Sequence, residues 1–213
     1  MRYASSMCAN YRPSTPEALA VFPLPPPDFH YSEAYPGSVC PVVTNFAPRI
    51  WVPACFGLIP GWAKDTKIAR STYNARSETV GEKPSFRTAW TRGQLCIIPA
   101  DAVFEPCYES GRAVRWRIER EDGKPMGLAG IWERSLKDDG RTSWSFSMLT
   151  INADNDPVFR RFHKPEDEKR SVVILPDGAW GEWLRCKSDA EALSMLHDTP
   201  RPDLLTCAAP RAP

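Results

Sequence analysis

With 213 residues, a mass of 23.9 kDa and 42% hydrophobic content, the chain is long and apolar enough for one domain with a sizeable core, which excludes a disordered protein. A formal net charge of +1 excludes a global basic field of the kind that coats nucleic acid, so any DNA contact must be local. No apolar run approaches the ~18 residues of a membrane span, and residues 1–20 lack the apolar centre of a signal peptide, so a cytoplasmic protein without membrane contact is expected.

Twenty-two prolines, well above the ~5% background, break the chain into short pieces and rule out long helices over most of it. In chain order, a helix is predicted over residues 16–21, followed by a loop at Pro23, Pro25, Pro26 and Pro27. Short extended segments follow at 39–43 and 49–56. The run Leu95-Cys96-Ile97-Ile98, the alternating Val114-Arg115-Trp116-Arg117-Ile118, and residues 126–132, 145–151 and 171–175 read as strands. Glu121-Asp122-Gly123-Lys124 and Asp138-Asp139-Gly140 are hairpin-like turns. Helices are predicted over 177–185 and 188–197, the second opened by Ser188 with Glu191 three residues on, a capping box. Residues 199–213 hold four prolines and read as a loosely ordered tail. The fold class is α+β, a single β-rich domain.

The seven cysteines are odd in number, scattered, and form no C-x-x-C pair, so neither a disulfide framework nor a structural metal is expected. Cys55 and Cys96, inside apolar runs, read as core residues. Cys8, in Met7-Cys8-Ala9-Asn10-Tyr11, is different in kind. A cysteine with a free α-amine is a 1,2-aminothiol, which captures an aldehyde through nitrogen and sulfur and closes a thiazolidine ring.

Three further stretches are richer in polar groups than their surroundings require. They are Tyr73-Asn74-Ala75-Arg76-Ser77-Glu78-Thr79 with Arg87 and Trp90 beyond it, the apolar strand ending Val103-Phe104-Glu105-Pro106, and Phe159-Arg160-Arg161-Phe162-His163 leading into a charged run. Taken with Cys8, with the motif Phe56-Gly57-Leu58-Ile59-Pro60-Gly61-Trp62 and with residues 127–133, in order from Met7 to about Trp183, the chain resembles the SOS response-associated peptidase family of abasic-site processing proteins.

The resemblance implies mixed sheets forming a pseudo-barrel with a few short peripheral helices over residues 7–198. It also implies a monomer that needs no cofactor, joins the nucleoid on DNA, and bonds covalently to abasic sites in single-stranded DNA. Cys8, as the mature N-terminus, attacks the open-chain aldehyde of the sugar. Asn74 positions that nucleophile, Glu105 is the general acid/base for amine addition and dehydration, and His163 promotes opening of the cyclic sugar. Strand scission through the same imine is a side activity, and a cysteine peptidase acting on its own leader is a second enzyme reading.

These roles suit the residue types. Opening a hemiacetal needs proton transfer at the ring oxygen, which fits an imidazole titrating near neutrality. An α-amine, with a reference pKa of about 7.7–8.0, is close to its neutral, nucleophilic form. Plainer readings stand beside them: Glu105 capping the sheet or pairing with an arginine, His163 as a surface histidine, Asn74 as a turn residue. Arg76, Arg87, Arg160 and Arg161, interleaved with Trp62, Trp90 and Phe162, suggest phosphate contacts and base stacking. Arg112, Arg115, Arg117 and Arg120 read as a solvated face, and 166–170 as a solvated loop.

The chain departs from the family at Met7-Cys8-Ala9-Asn10, where Met-Cys-Gly-Arg is usual. Residues 1–6 precede the motif as a leader or a mis-assigned start, and Arg2 is too large for removal of Met1. Either translation begins at Met7, or the leader is cut, or Cys8 stays internal and the protein is a non-catalytic single-stranded nucleic-acid binding module.

Overall fold

The structure is a computed structural model that describes residues 9–21, 24, 25, 27, 32–136 and 142–211. Its strands are β1 (Tyr11–Pro13), β2 (Val39–Thr44), β3 (Val52–Phe56), β4 (Asn74–Arg76), β5 (Leu95–Cys107), β6 (Val114–Arg120), β7 (Met126–Leu136), β8 (Thr142–Asn152), β9 (Arg170–Val172), β10 (Ile174–Leu175) and β11 (Leu204–Ala208). Its helices are α1 (Arg87–Thr91), α2 (Trp180–Trp183) and α3 (Asp189–Asp198), with short 3-10 segments elsewhere, the longest Thr66–Ser71.

Five strands close on themselves: β7 pairs β8, β8 pairs β3, β3 pairs β2, β2 pairs β5, and β5 returns to β7. Only the β3–β8 step of this barrel is parallel. The mixed, β-rich α+β architecture anticipated from the sequence is therefore the observed one. The first half of β5 seals the barrel against β7, and its second half runs on to carry β1 on one side and β6, then β11, on the other.

Both faces of the barrel wall are buried. Cys96, Ile98, Leu128, Phe146 and Met148 point into one apolar cluster, while Leu95, Ile97, Ala129, Ile131 and Leu149 point into a second that also holds Leu58, Val80, Trp90 and Trp183. That is why Leu95-Cys96-Ile97-Ile98 reads as a continuous apolar run rather than an alternating one. Gly57 sits at φ +110° where a Cβ would lie 2.2 Å from the Ala69 carbonyl oxygen, so only glycine allows the chain leaving β3 to pass that close.

The helix predicted over 16–21 is a single 3-10 turn, Ala18–Val21, and that over 177–185 is a 3-10 turn followed by α2. At α3 the Ser188 hydroxyl accepts from the Glu191 amide at 3.2 Å, as the capping box requires. The turn at 121–124 is present, with Gly123 at φ +70°, yet β6 and β7 do not form a hairpin: both lie against β5, at opposite ends of it. Residues 138–140 lie outside the described residues, although β7 and β8 pair antiparallel on either side of them. The tail is also corrected. Leu204–Ala208 fills the open edge of β6 as β11, satisfying backbone groups that β6 would otherwise leave exposed.

Candidate functional site

Glu105 lies in the second half of β5, where alternation turns it to the opposite face from Phe104 and across from Trp116 of β6. It is 2% exposed. His163 reaches it from a distant segment. Phe159 and Phe162 are fully buried, and Asp156 accepts from the Val158 and Phe159 amides at 2.8 Å, which fixes the 3-10 turn Phe159–Arg161. The chain then turns through His163 at φ 64°, a left-handed conformation uncommon outside glycine, and the His163 amide donates to the Pro106 carbonyl at 2.8 Å.

This strapping sets the imidazole Nε2 3.7 Å from Glu105 Oε2. His163 is 2% exposed, so the surface-histidine reading is wrong, and its ring lies between Glu105 and the Arg170 backbone. Burial, and then the positive charge of Lys169, lower its pKa. Near pH 7 the ring is neutral, offering one N–H donor and one lone-pair acceptor beside a carboxyl group.

Asn74 stands on β4, which joins β8 in parallel with Asn74 opposite Met148. Its neighbour Tyr73 packs on Phe56 at the border of one apolar cluster, while Ala75 on its other side enters the second. Cys8 lies outside the described residues. Asn10, two positions on, is anchored: its carbonyl accepts from the Phe104 amide at 3.1 Å, next to Glu105, and β1 continues antiparallel to β5 with Tyr11 opposite Val103.

Among the residues expected to meet DNA, Trp62 is 59% exposed and donates from its indole to the Pro84 carbonyl at 3.3 Å, which puts it beside the segment leading to exposed Arg87. Trp90 is a correction. At 3% exposure it is core, turned inward by α1 with Phe86 one turn before it, and it cannot stack on a base. The fully buried Phe162 is corrected for the same reason. Arg76 and Arg160 are exposed, but Arg76 already holds Glu168 at 2.8 Å. Arg161 grips Glu109 through two nitrogens and lies over the Trp116 ring.

The run 166–170 is no simple solvated loop, because Arg170 is 2% exposed and bonded to both Glu78 oxygens, to Glu168 and to the Thr150 carbonyl. Burial opposes ionisation of Glu78, yet the hydrogen bonds and charge of Arg170 bring its pKa to about 2. The solvated-face reading also fails for Arg120, which is buried between Asp122 and Asp177, and for Arg115, which reaches Asn10.

The family model described as SOS response associated peptidase (SRAP) matches residues 23–209. The chain belongs to that family. Among SRAP relatives, a Bacillus subtilis protein named Abasic site processing protein YoqW is 30% identical over 177 residues, covering 81% of this chain and 75% of that one. A crystal structure of a protein from Bordetella bronchiseptica superposes with a TM-score of 0.85 at 37% identity, over 95% of this chain and 99% of that one. Another, from Bacteroides thetaiotaomicron, shares the fold with a TM-score of 0.79 at 22% identity, over 94% and 91%.

Sequence reasoning missed the SRAP chain's Arg115, Glu33 and Asn10 as a connected group, because the partners lie 82 and 105 positions apart and no local pattern links them. Among the described residues no three His, Cys, Asp or Glu side chains gather as a metal-binding group, no cysteine is in a disulfide, and no helix is long and apolar enough to cross a membrane.

Proposed function

We propose that this SRAP protein processes abasic sites in single-stranded DNA by covalent capture, with Cys8 as the reacting N-terminal residue. The observation that carries the reading is the buried contact of Glu105 with His163, at the stretch of β5 where the chain just downstream of Cys8 is tied down. The relative named an abasic site processing protein supports the same substrate.

The closed sugar opens when the anomeric hydroxyl loses a proton and the ring oxygen gains one, a transfer suited to the neutral His163 ring with its donor and its acceptor. The α-amine adds to the aldehyde carbon to give a carbinolamine. Glu105 as an acid protonates the departing hydroxyl, so one water leaves and an imine remains. The thiol adds to the imine carbon and its proton passes to nitrogen, closing the ring. Atoms balance with loss of one water. Asn74 positions the nucleophile, and Arg76, Arg87, Arg160 and Trp62 meet the strand.

Intact mass of the protein purified from cells, followed by a denaturing gel shift with a single-stranded oligonucleotide carrying one abasic site, tests this. The expected result is a chain beginning at Cys8 and a denaturant-resistant adduct absent with intact DNA and lost in Cys8→Ala. A chain beginning at Cys8 that forms no adduct overturns the reading in favour of a binding module.

A further inference from the structure

We infer that Arg115 and Glu33 are positioning residues for that chemistry, holding Asn10, two positions after Cys8 in sequence, against β5. The inference rests on the covalent-capture reading and extends it to residues far from the reacting atoms. Asn10 is 8% exposed, a depth at which an unpaired amide is costly, and its side chain is fully engaged. Oδ1 accepts from Arg115 Nη2 at 2.7 Å, and Nδ2 donates to Glu33 Oε2 at 3.3 Å and to the Ala34 carbonyl at 3.2 Å. Arg115 Nη2 also donates to Glu33 Oε1 at 2.6 Å, so each of the three side chains touches the other two.

The guanidinium is itself braced. Its carbon lies 3.4 Å from the centroid of the Phe104 ring, and Nη1 donates to the Ala209 carbonyl at 3.3 Å. Glu33 accepts in addition from the Tyr35 hydroxyl at 2.5 Å. Segments from before β1, from 33–35, from β5, from β6 and from beyond β11 therefore meet at Asn10. With one Arg115 face on Phe104 and Nη2 shared by two acceptors, the group is a strut rather than a free phosphate contact. Two residues of backbone, at most about 7 Å when extended, separate this fixed point from Cys8 along the chain. Near-attack geometry of the amine and thiol depends on that fixed point.

The test is single-turnover adduct formation by the full mature chain, its first residue established as Cys8, over a range of concentrations of an oligonucleotide with one abasic site. Arg115→Ala and Asn10→Ala should each lower the maximal rate about 10- to 100-fold, with unchanged half-saturating DNA concentration and unchanged binding of undamaged strand. Arg115→Lys should fall between, and Arg112→Ala, exposed before the same strand, should match the parent. An unchanged maximal rate in both alanine variants overturns the inference, and so does a rise in half-saturation alone, which would make Arg115 a DNA contact. Should the parent form no adduct, the covalent-capture reading has failed; hydrogen exchange at the Tyr11 amide, bonded to the Ala34 carbonyl at 3.2 Å, then decides this one. Faster exchange in Arg115→Ala or Asn10→Ala supports the clamp, and equal exchange refutes it.

Discussion

Arg170 and His163 are both buried beside a carboxylate, and the two sites are built in opposite ways. Arg170 is enclosed by Glu78, Glu168 and Thr150, with both Glu78 oxygens engaged at 2.6 and 2.8 Å. His163 meets Glu105 at 3.7 Å, beyond hydrogen-bond reach, and burial lowers its pKa so that the ring is neutral near pH 7. A cation placed in the interior must be compensated on the spot, so the first pair is a structural tie between β4, β8 and β9. A neutral imidazole needs no counter-charge, so the second pair can stay outside hydrogen-bond distance, the arrangement on which the proposed proton-transfer role of His163 depends. The contrast separates a group that holds the fold from one whose proposed role is chemical.

The sharpest way to break this comparison is Glu105→Gln. Adduct formation on abasic DNA should fall about 10²- to 10⁴-fold, the range of general acid/base catalysis, while the melting temperature stays near that of the parent. Equal losses of rate and stability would make Glu105 structural, like Glu78.

Glu78→Ala should do the reverse. It leaves the Arg170 charge under-compensated and should cost about 1–3 kcal/mol in denaturant unfolding, below the ~3–5 kcal/mol of a fully buried pair, because Glu78 is 42% exposed and Glu168 remains. Adduct chemistry per folded molecule should survive.

Arg76→Ala tests the outer edge of the same tie, where Glu168 bridges Arg76 and Arg170. It should weaken binding of damaged and undamaged single strands alike and flatten the log–log salt dependence by about 0.7, the loss of one phosphate contact. An unchanged slope would leave Arg76 with its Glu168 pairing as its whole role.

The smallest effect is in the pH dependence of stability, and the two pairs differ in window. Because the folded His163 pKa is lowered from 6.5, the unfolded chain takes up the proton first, so stability should rise with pH below about 6.5 and level off above it. His163→Gln should remove that slope. The Glu78 carboxyl is held down at about 2 against 4.5, so its contribution is complete above about 4.5 and is lost as pH falls toward 2. Chemical unfolding across pH with both variants resolves the two windows.

Sequence reading recovered the segments at 39–43, 49–56, 95–98, 114–118, 126–132, 145–151 and 171–175, all of which fall on observed strands because their own apolar runs or alternation enforce them. It missed β1 and β4, three residues each, which exist because β5 and β8 offer them an edge to pair with. Trp62 and Trp90 show the limit for single side chains. Both are tryptophans among basic residues, yet one is 59% exposed and the other 3%, and the rotation of α1 rather than composition separates them.

The sequence by itself determined the class of fold, through proline spacing and apolar runs, and the residue types of the site, through the chemistry that a cysteine, a carboxylate and an imidazole can perform. Tertiary structure alone decided which of them meet. Glu105 and His163 are 58 positions apart in number and touch because Phe159 and Phe162 bury themselves in the core and turn the chain through a left-handed residue onto the end of β5. Arg115 reaches Asn10 across 105 positions because β6 and the segment leading into β1 both pair with the second half of β5, and the pairing that brings them together leaves no trace in local sequence.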